Sequence, residues 1–291
     1  FECAVGCSSV ILDWTQFAEN FQRLGKRLEG FEDADYGKFD KDLCGKDNLC
    51  IHSFFIKIAR FAGYSEVALT AMKTLAIDAT FIVVLIGNVL VQLRSSNASG
   101  MAGTIMVNTV RNTTLFRICF RTVVFDTSIS FKSSVILLTY GDDAIFHCGQ
   151  MIIIFNASVM SMILEKYGLE MTNGDKTKNF RLNKTLGEIE FLKRRFVYNK
   201  EFQRYVAPLR EESIVKMLAM IVPSKTITLS QQHVEILSSA NLENFAYGKK
   251  YFDAQRNFYC QLLAKYKYPS NTAIALKTYK DIKENVYNIG A

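Results

Sequence analysis

The chain has no Cys-x-x-Cys pair and no Cys/His set with zinc spacing, although it carries seven cysteines, at 3, 7, 44, 50, 119, 148 and 260. So irregular a set excludes a zinc module and a disulfide scaffold, and reads as reduced thiols in a cytosolic setting. Histidine is scarce. His52, His147 and His233 lie too far apart for a His-based metal centre, and each reads as structural or surface. There is no starting Met and no signal-peptide pattern, and the opening Phe1-Glu2-Cys3 reads as the start of a fragment of something longer. Long apolar runs are missing too. The best candidate, Ala79 to Val91, is shorter than the ~20 residues a membrane span needs. Asp78, Asn88 and Gln92 flank or break it, so a buried strand pair or a helix is expected there. No internal repeat and no low-complexity tract occurs, which excludes solenoids and disordered arrays.

What is present is a globular composition. Of 291 residues, 49% are apolar, enough for one large core or for two subdomains. The formal net charge is +7, and its distribution is uneven. Residues 176 to 210 hold ten Lys or Arg against three Glu, while the first fifty residues lean acidic. A basic second half beside acidic motifs suits a protein that holds a polyanion over a metal site; a basic solvated face is the plainer alternative.

The chain is organised around Thr139-Tyr140-Gly141-Asp142-Asp143. Apolar runs Val135–Leu138 and Ala144–Phe146 flank it, so Gly141-Asp142 reads as the two-residue turn of a hairpin. Two carboxylates at one tip repel unless a cation neutralises them, and hard oxygen ligands suit Mg²⁺ or Mn²⁺. An ordinary turn with solvated acids is the competing reading. A second group of acids, Glu32, Asp33, Asp35 and Asp40, surrounds Gly37; if Asp35 ends a strand, Asp35 and Asp40 can face one pocket.

Elsewhere the pattern is mostly helical. Trp14, Phe17, Phe21 and Leu24 form one face of a helix that Asp13 can cap. Residues 45 to 73 read as helical, with Ile51, Phe54, Phe55, Ile58 and Phe61 on a face. The small polar segment 94–104 leads into a helix on which Thr104 and Asn108 share a face. Residues 150–167 form an apolar helix that Gly168 can end. Asn173 to Thr177 makes a turn carrying Lys176. Residues 188–198 interleave a strand-like pattern with Lys193, Arg194 and Arg195, and helices run from Pro208 to the end.

Five blocks, taken in order, resemble the RNA-dependent RNA polymerases of picorna-like (Picornavirales) positive-strand RNA viruses. They are Asp35-Tyr36-Gly37-Lys38-Phe39-Asp40; Ser99-Gly100 with Gly103-Thr104 and Asn108; Tyr140-Gly141-Asp142-Asp143; Tyr167-Gly168-Leu169 with Asp175-Lys176; and Phe191-Leu192-Lys193-Arg194. The opening Ala4-Val5-Gly6-Cys7 and Trp14 also resemble the segment before the first motif. The resemblance implies an α+β fold: a right-hand palm, a small antiparallel sheet backed by helices, with a helical thumb and most of the fingers missing. It implies palm at 1–75 and 97–199, a fingers excursion at 76–96, and thumb at 200–291. It further implies two Mg²⁺ (Mn²⁺ as substitute) on Asp35 and Asp142 with Asp143 auxiliary, and Lys176 as general acid. Asp40 and Asn108 would read the ribose, Ser99, Gly100 and Thr104 would line the nucleotide pocket, and Lys193 and Arg194 would grip the primer.

The implied partners are an RNA template and primer, NTPs, a genome-linked protein primer and other viral replication proteins, in the host cytoplasm at membrane-associated complexes and without a membrane span in this chain. Asp33 competes with Asp35, but only Asp35 has the family's spacing to Asp40. Ala98 stands where the family commonly has Pro, and the basic fingers motif for the triphosphate has no counterpart, so the chain alone is expected to be inactive. Two alternatives remain at this point: a catalytically silent RNA-binding component, and a reverse transcriptase.

Overall fold

The computed structural model describes residues 3–9, 13–23, 29–39, 45–93, 103–268 and 275–287. The elements run α1 (Asp13–Gln22), β1 (Glu29–Gly37), α2 (Gly45–Phe61), α3 (Glu66–Thr80), β2 (Val83–Ile86), β3 (Val89–Gln92), α4 (Thr104–Val123) and α5 (Phe131–Ser134). They continue with β4 (Ile136–Tyr140), β5 (Asp143–His147), α6 (Ala157–Glu165), β6 (Glu170–Thr172), β7 (Lys184–Thr185), β8 (Glu190–Phe191), β9 (Arg194–Arg195), β10 (Val197–Asn199) and β11 (Arg204–Val206). Helices α7 (Glu211–Ala219), α8 (Leu229–Asn244), α9 (Lys249–Lys265) and α10 (Tyr279–Ile282) follow. Contacts divide the chain into two units, Phe1–Gly6 with Leu24–Thr185, and Cys7–Arg23 with Leu186–Ala291. Helix α1 is thus grouped with the second unit.

The first unit is built on an antiparallel sheet in the order β4-β5-β1-β6, with β7 also pairing β1. Side chains alternate across β1. Ala34 and Tyr36 enter the core with Phe116 and Phe120 of α4, Phe146 of β5 and Met160 and Leu164 of α6, leaving Asp33 and Asp35 to the other face. Each such apolar side chain contributes about 1.5–3 kcal/mol by leaving water. This is the expected small sheet backed by helices.

Two expectations fail in detail. The helical stretch over 45–73 is broken: Gly63, with φ +83°, follows the end of α2, and Ser65 caps α3 by accepting from Ala68 N. Of its expected apolar face only Ile51 is buried, whereas Phe54, Ile58 and Phe61 are exposed, Phe61 by 96%. The run 79–91 does form a strand pair, β2–β3, but its Val83, Leu85, Ile86, Val89 and Leu90 are exposed and not buried. An apolar pattern reports only what a segment could bury; burial itself requires a packing neighbour.

In the second unit, Trp14 of α1 stacks on Phe196 with ring centroids 5.1 Å apart and lies 6.0 Å from Phe191. Its indole N–H donates to Arg195 O at 3.3 Å. The Thr15 hydroxyl accepts from Tyr205 N of β11 at 3.1 Å and donates to Tyr205 O at 3.3 Å. Helices α7–α9 bury Ile214, Ala240, Tyr259 and Leu263 together. Thr228 and Gln231 form a reciprocal capping box at the start of α8.

Candidate active site

The hairpin β4–β5 has Gly141-Asp142 as its two-residue turn, with Tyr140 paired to Asp143. Gly141 adopts φ +64°, the conformation only glycine takes at no steric cost. Strand β5 also pairs β1, with Asp33 opposite Ile145 and Ala34 opposite Ala144. The next residues along this register are Asp35 and Asp143, so two distant acidic segments meet at one edge of the sheet.

Helix α4 holds the turn from beneath. Thr109 Oγ1 accepts from Gly141 N at 2.8 Å. Asn112 Nδ2 donates to Gly141 O at 3.1 Å and to Asp142 O at 2.8 Å. Asn112 Oδ1 in turn accepts from the Tyr36 hydroxyl at 3.0 Å. Burial pushes that hydroxyl far above its ordinary pKa, so it remains a donor. Tyr36 adjoins Asp35, and one buried amide thereby links the strand bearing Asp35 to the turn bearing Asp142. The sequence motifs do not single out Thr109 or Asn112, yet a signal for Asn112 was there: Thr104, Asn108 and Asn112 recur every four residues along α4.

The three acids of β1 have different surroundings. Glu32 is buried on the core side, where its Oε2 accepts from Ala157 N at the start of α6 at 2.8 Å. Burial, with smaller opposing and reinforcing effects from its neighbours, raises its carboxyl to about 8. Asp33 forms a 2.6 Å ion pair with Lys184, both side chains largely buried. Asp35 lies 3.4 Å from the ammonium of Lys176, which is 77% exposed. Asp33 is thus matched with its own cation, whereas Asp35 stands beside Lys176. The Lys176 turn closes as expected, through Asn173 N to Thr177 O and Lys176 N to Asn173 O, both at 2.8 Å, with Lys176 at φ +65°.

Among the described residues, no group of three or more His, Cys, Asp or Glu side chains stands close enough to hold a metal by itself. The donor set at the sheet edge is all carboxylate, from Asp35, Asp142 and Asp143. One or two carboxylates completed by substrate phosphates is the usual arrangement for Mg²⁺, so the residues fit a hard divalent ion.

Thr104 begins α4, and Asn108 is buried one turn on. Asp40, Ser99 and Gly100 lie outside the described residues. In the second unit, Lys193 is exposed at the turn of the β8–β9 hairpin, with Leu192 and Lys193 both at positive φ. Arg194 is differently placed. Its guanidinium makes a bidentate pair with Glu243 of α8, both bonds at 2.7 Å, and donates to Ala207 O at 2.9 Å. Its guanidinium is thus engaged within the protein. His147 is buried edge-on against Phe31 and accepts from Gly149 N, a structural placement.

Comparison with known proteins agrees with this geometry. The family model described as viral RNA-dependent RNA polymerase matches residues 1–267. The RNA1 polyprotein of Cycas necrotic stunt virus is 31% identical over 88% of this chain and 12% of the polyprotein. That of Grapevine fanleaf virus is 29% identical over 90% of this chain and 11% of the polyprotein. A solved structure, the Sicinivirus 3Dpol RNA dependent RNA polymerase, superposes with a TM-score of 0.72 at 16% identity, over 97% of this chain and 55% of that one. The chain therefore spans about an eighth of the curated relatives it matches and about half of the solved one. With a family match across most of its length and the fold of that solved relative, the chain belongs to the viral RNA-dependent RNA polymerases, among those of picorna-like viruses.

Proposed function

We propose that the chain supplies the catalytic palm and the thumb of a polymerase that extends an RNA primer on an RNA template in viral genome replication. The observation that carries this reading is the β1–β5 pairing, which sets Asp35 beside the Asp142-Asp143 hairpin, with Lys176 at 3.4 Å from Asp35. Asp35 and Asp142, aided by Asp143, would hold Mg²⁺, or Mn²⁺ in its place. When bound, such ions lower the pKa of the primer 3′-hydroxyl and neutralise charge on the leaving pyrophosphate. Lys176 donates a proton to that pyrophosphate, a contribution of roughly 10²–10⁴-fold in comparable general-acid steps. Asn108 and Asp40 read the ribose hydroxyls, and Ser99, Gly100 and Thr104 line the nucleotide pocket. Lys193 contacts the primer, while Arg194 anchors the hairpin that presents it. A genome-linked protein as primer, other replication proteins and membrane-associated complexes in the host cytoplasm complete the reading.

The test is primer extension by a polymerase comprising this chain and the fingers, with RNA template, NTPs and Mg²⁺, beside Asp142→Asn. Template-directed elongation that disappears in the variant is expected. Elongation that survives removes the metal role from the hairpin. RNA binding without elongation, insensitive to Mg²⁺, favours a silent binding component, and preference for dNTPs favours a reverse transcriptase.

A further inference from the structure

Arg111 has no place in the motifs above, yet it is only 2% exposed. A guanidinium stays charged at all accessible pH and offers only donors, so burying it is costly unless they are engaged. Nη2 donates to Asn48 Oδ1 of α2, itself 2% exposed. Nη1 donates to Asn108 Oδ1 at 3.1 Å. The guanidinium carbon lies 5.8 Å from the ring centroid of Phe39, the residue before Asp40. Arg111 thus joins α2, α4 and the segment leaving β1, all within the first unit, and reaches Asn108 across one helical turn.

The chemistry of the pair fixes an orientation. A carboxamide can ordinarily present either its oxygen or its nitrogen to a neighbour. Arg111 can only donate, so the oxygen of Asn108 must face it, and Nδ2, a donor, faces away. A donor complements the lone pairs of a ribose hydroxyl, and a 2′-deoxy sugar offers nothing in that place.

We propose that Arg111 is a positioning residue for ribose selection: it locks the Asn108 carboxamide with its amino group turned toward the sugar, and Asn48 holds Arg111 in place. The proposal rests on the polymerase reading and on Asn108 facing the nucleotide.

The experiment measures kcat/KM for an NTP and its matching 2′-dNTP, on the polymerase comprising this chain. Arg111→Met keeps much of the volume and removes the donors. The NTP/dNTP ratio is expected to fall by roughly tenfold, the value of one charge-assisted hydrogen bond, mainly through the NTP. Arg111→Lys, which can still donate to Asn108, recovers part of the ratio. In an Asn108→Ala background, Arg111→Met produces no further fall, because the pair acts as a unit. Equal losses for NTP and dNTP, leaving the ratio unchanged, would mean that Arg111 is merely structural and would overturn the proposal. Should Arg111→Met fail to fold by circular dichroism, Asn48→Ser decides: it leaves the charge in place, loosens the guanidinium and must lower the ratio. An unchanged ratio there likewise overturns it. Failure of the polymerase reading looks different, as absent template-directed incorporation by the wild type or as incorporation that survives Asp142→Asn.

Discussion

Glu32, Asp33 and Asp35 show how little residue type alone decides. They lie within four positions of one strand, and each has a different electrostatic fate. Glu32 faces the core, with a folded-state carboxyl near 8 against an ordinary 4.5. Between those values the folded chain holds a proton that the unfolded chain has released. The associated stability is full below about pH 4.5 and is lost as pH rises through about 8. Glu32→Gln keeps the acceptor for Ala157 N and removes the titration. Its melting temperature relative to wild type is expected to rise steadily from pH 5 to pH 8.5, and a constant difference would contradict the assignment. For Asp33 the matched cation matters most. Lys184→Met leaves a buried carboxylate unbalanced, with an expected loss on the order of 3–5 kcal/mol in denaturant unfolding. Adding Asp33→Asn should restore part of that loss.

Among the elements, α4 has the largest share in shaping the site. Its Thr109 and Asn112 grip the turn of the β4–β5 hairpin, and Asn112 also receives the Tyr36 hydroxyl. Asn112→Leu would strand that buried hydroxyl and two turn carbonyls, at about 1–3 kcal/mol for each group left unsatisfied. Elongation is expected to fall further than the loss of folded protein explains, because the turn that carries Asp142 loses its support. Combining Asn112→Leu with Tyr36→Phe should recover stability without recovering elongation. The β8–β9 hairpin separates its two cations in a similar way. Arg194→Met, which breaks the pair with Glu243, is expected to lower stability and to leave RNA affinity per folded molecule nearly unchanged. Lys193→Met is expected to do the reverse, weakening RNA binding and reducing the salt slope by roughly one phosphate contact. Filter binding over a salt series beside thermal melts separates the two.

At the scale of the molecule, α1 is the element whose place is least evident from its position in the chain. It precedes β1, yet it packs in the second unit, where Trp14 covers Phe191 and Phe196. Trp14 is the sole tryptophan, so intrinsic fluorescence of this chain reports on the second unit. Trp14→Ala is expected to destabilise that unit by about 3–5 kcal/mol, seen as a lower denaturation midpoint by far-UV circular dichroism. Among the described residues no helix is long and apolar enough to cross a membrane, and the exposed apolar residues of β2–β3 form a hairpin instead.

The sequence by itself determined the order of the blocks, the Gly-Asp turn of the hairpin and the Lys176 turn. These depend on backbone preferences and spacings within a few residues, so they are written locally. It also carried the polar stripe of Thr104, Asn108 and Asn112, although its purpose was not legible there. Only the tertiary structure decided which acid of β1 keeps company with Lys176 and which with Lys184. The same holds for Arg194, whose carboxylate partner lies in α8, for the exposure of the α2 face and of β2–β3, and for Arg111 against Asn108 and Asn48. A side chain's partner is set by chain segments far away in sequence, through strand register and helix packing, and no local period encodes that choice.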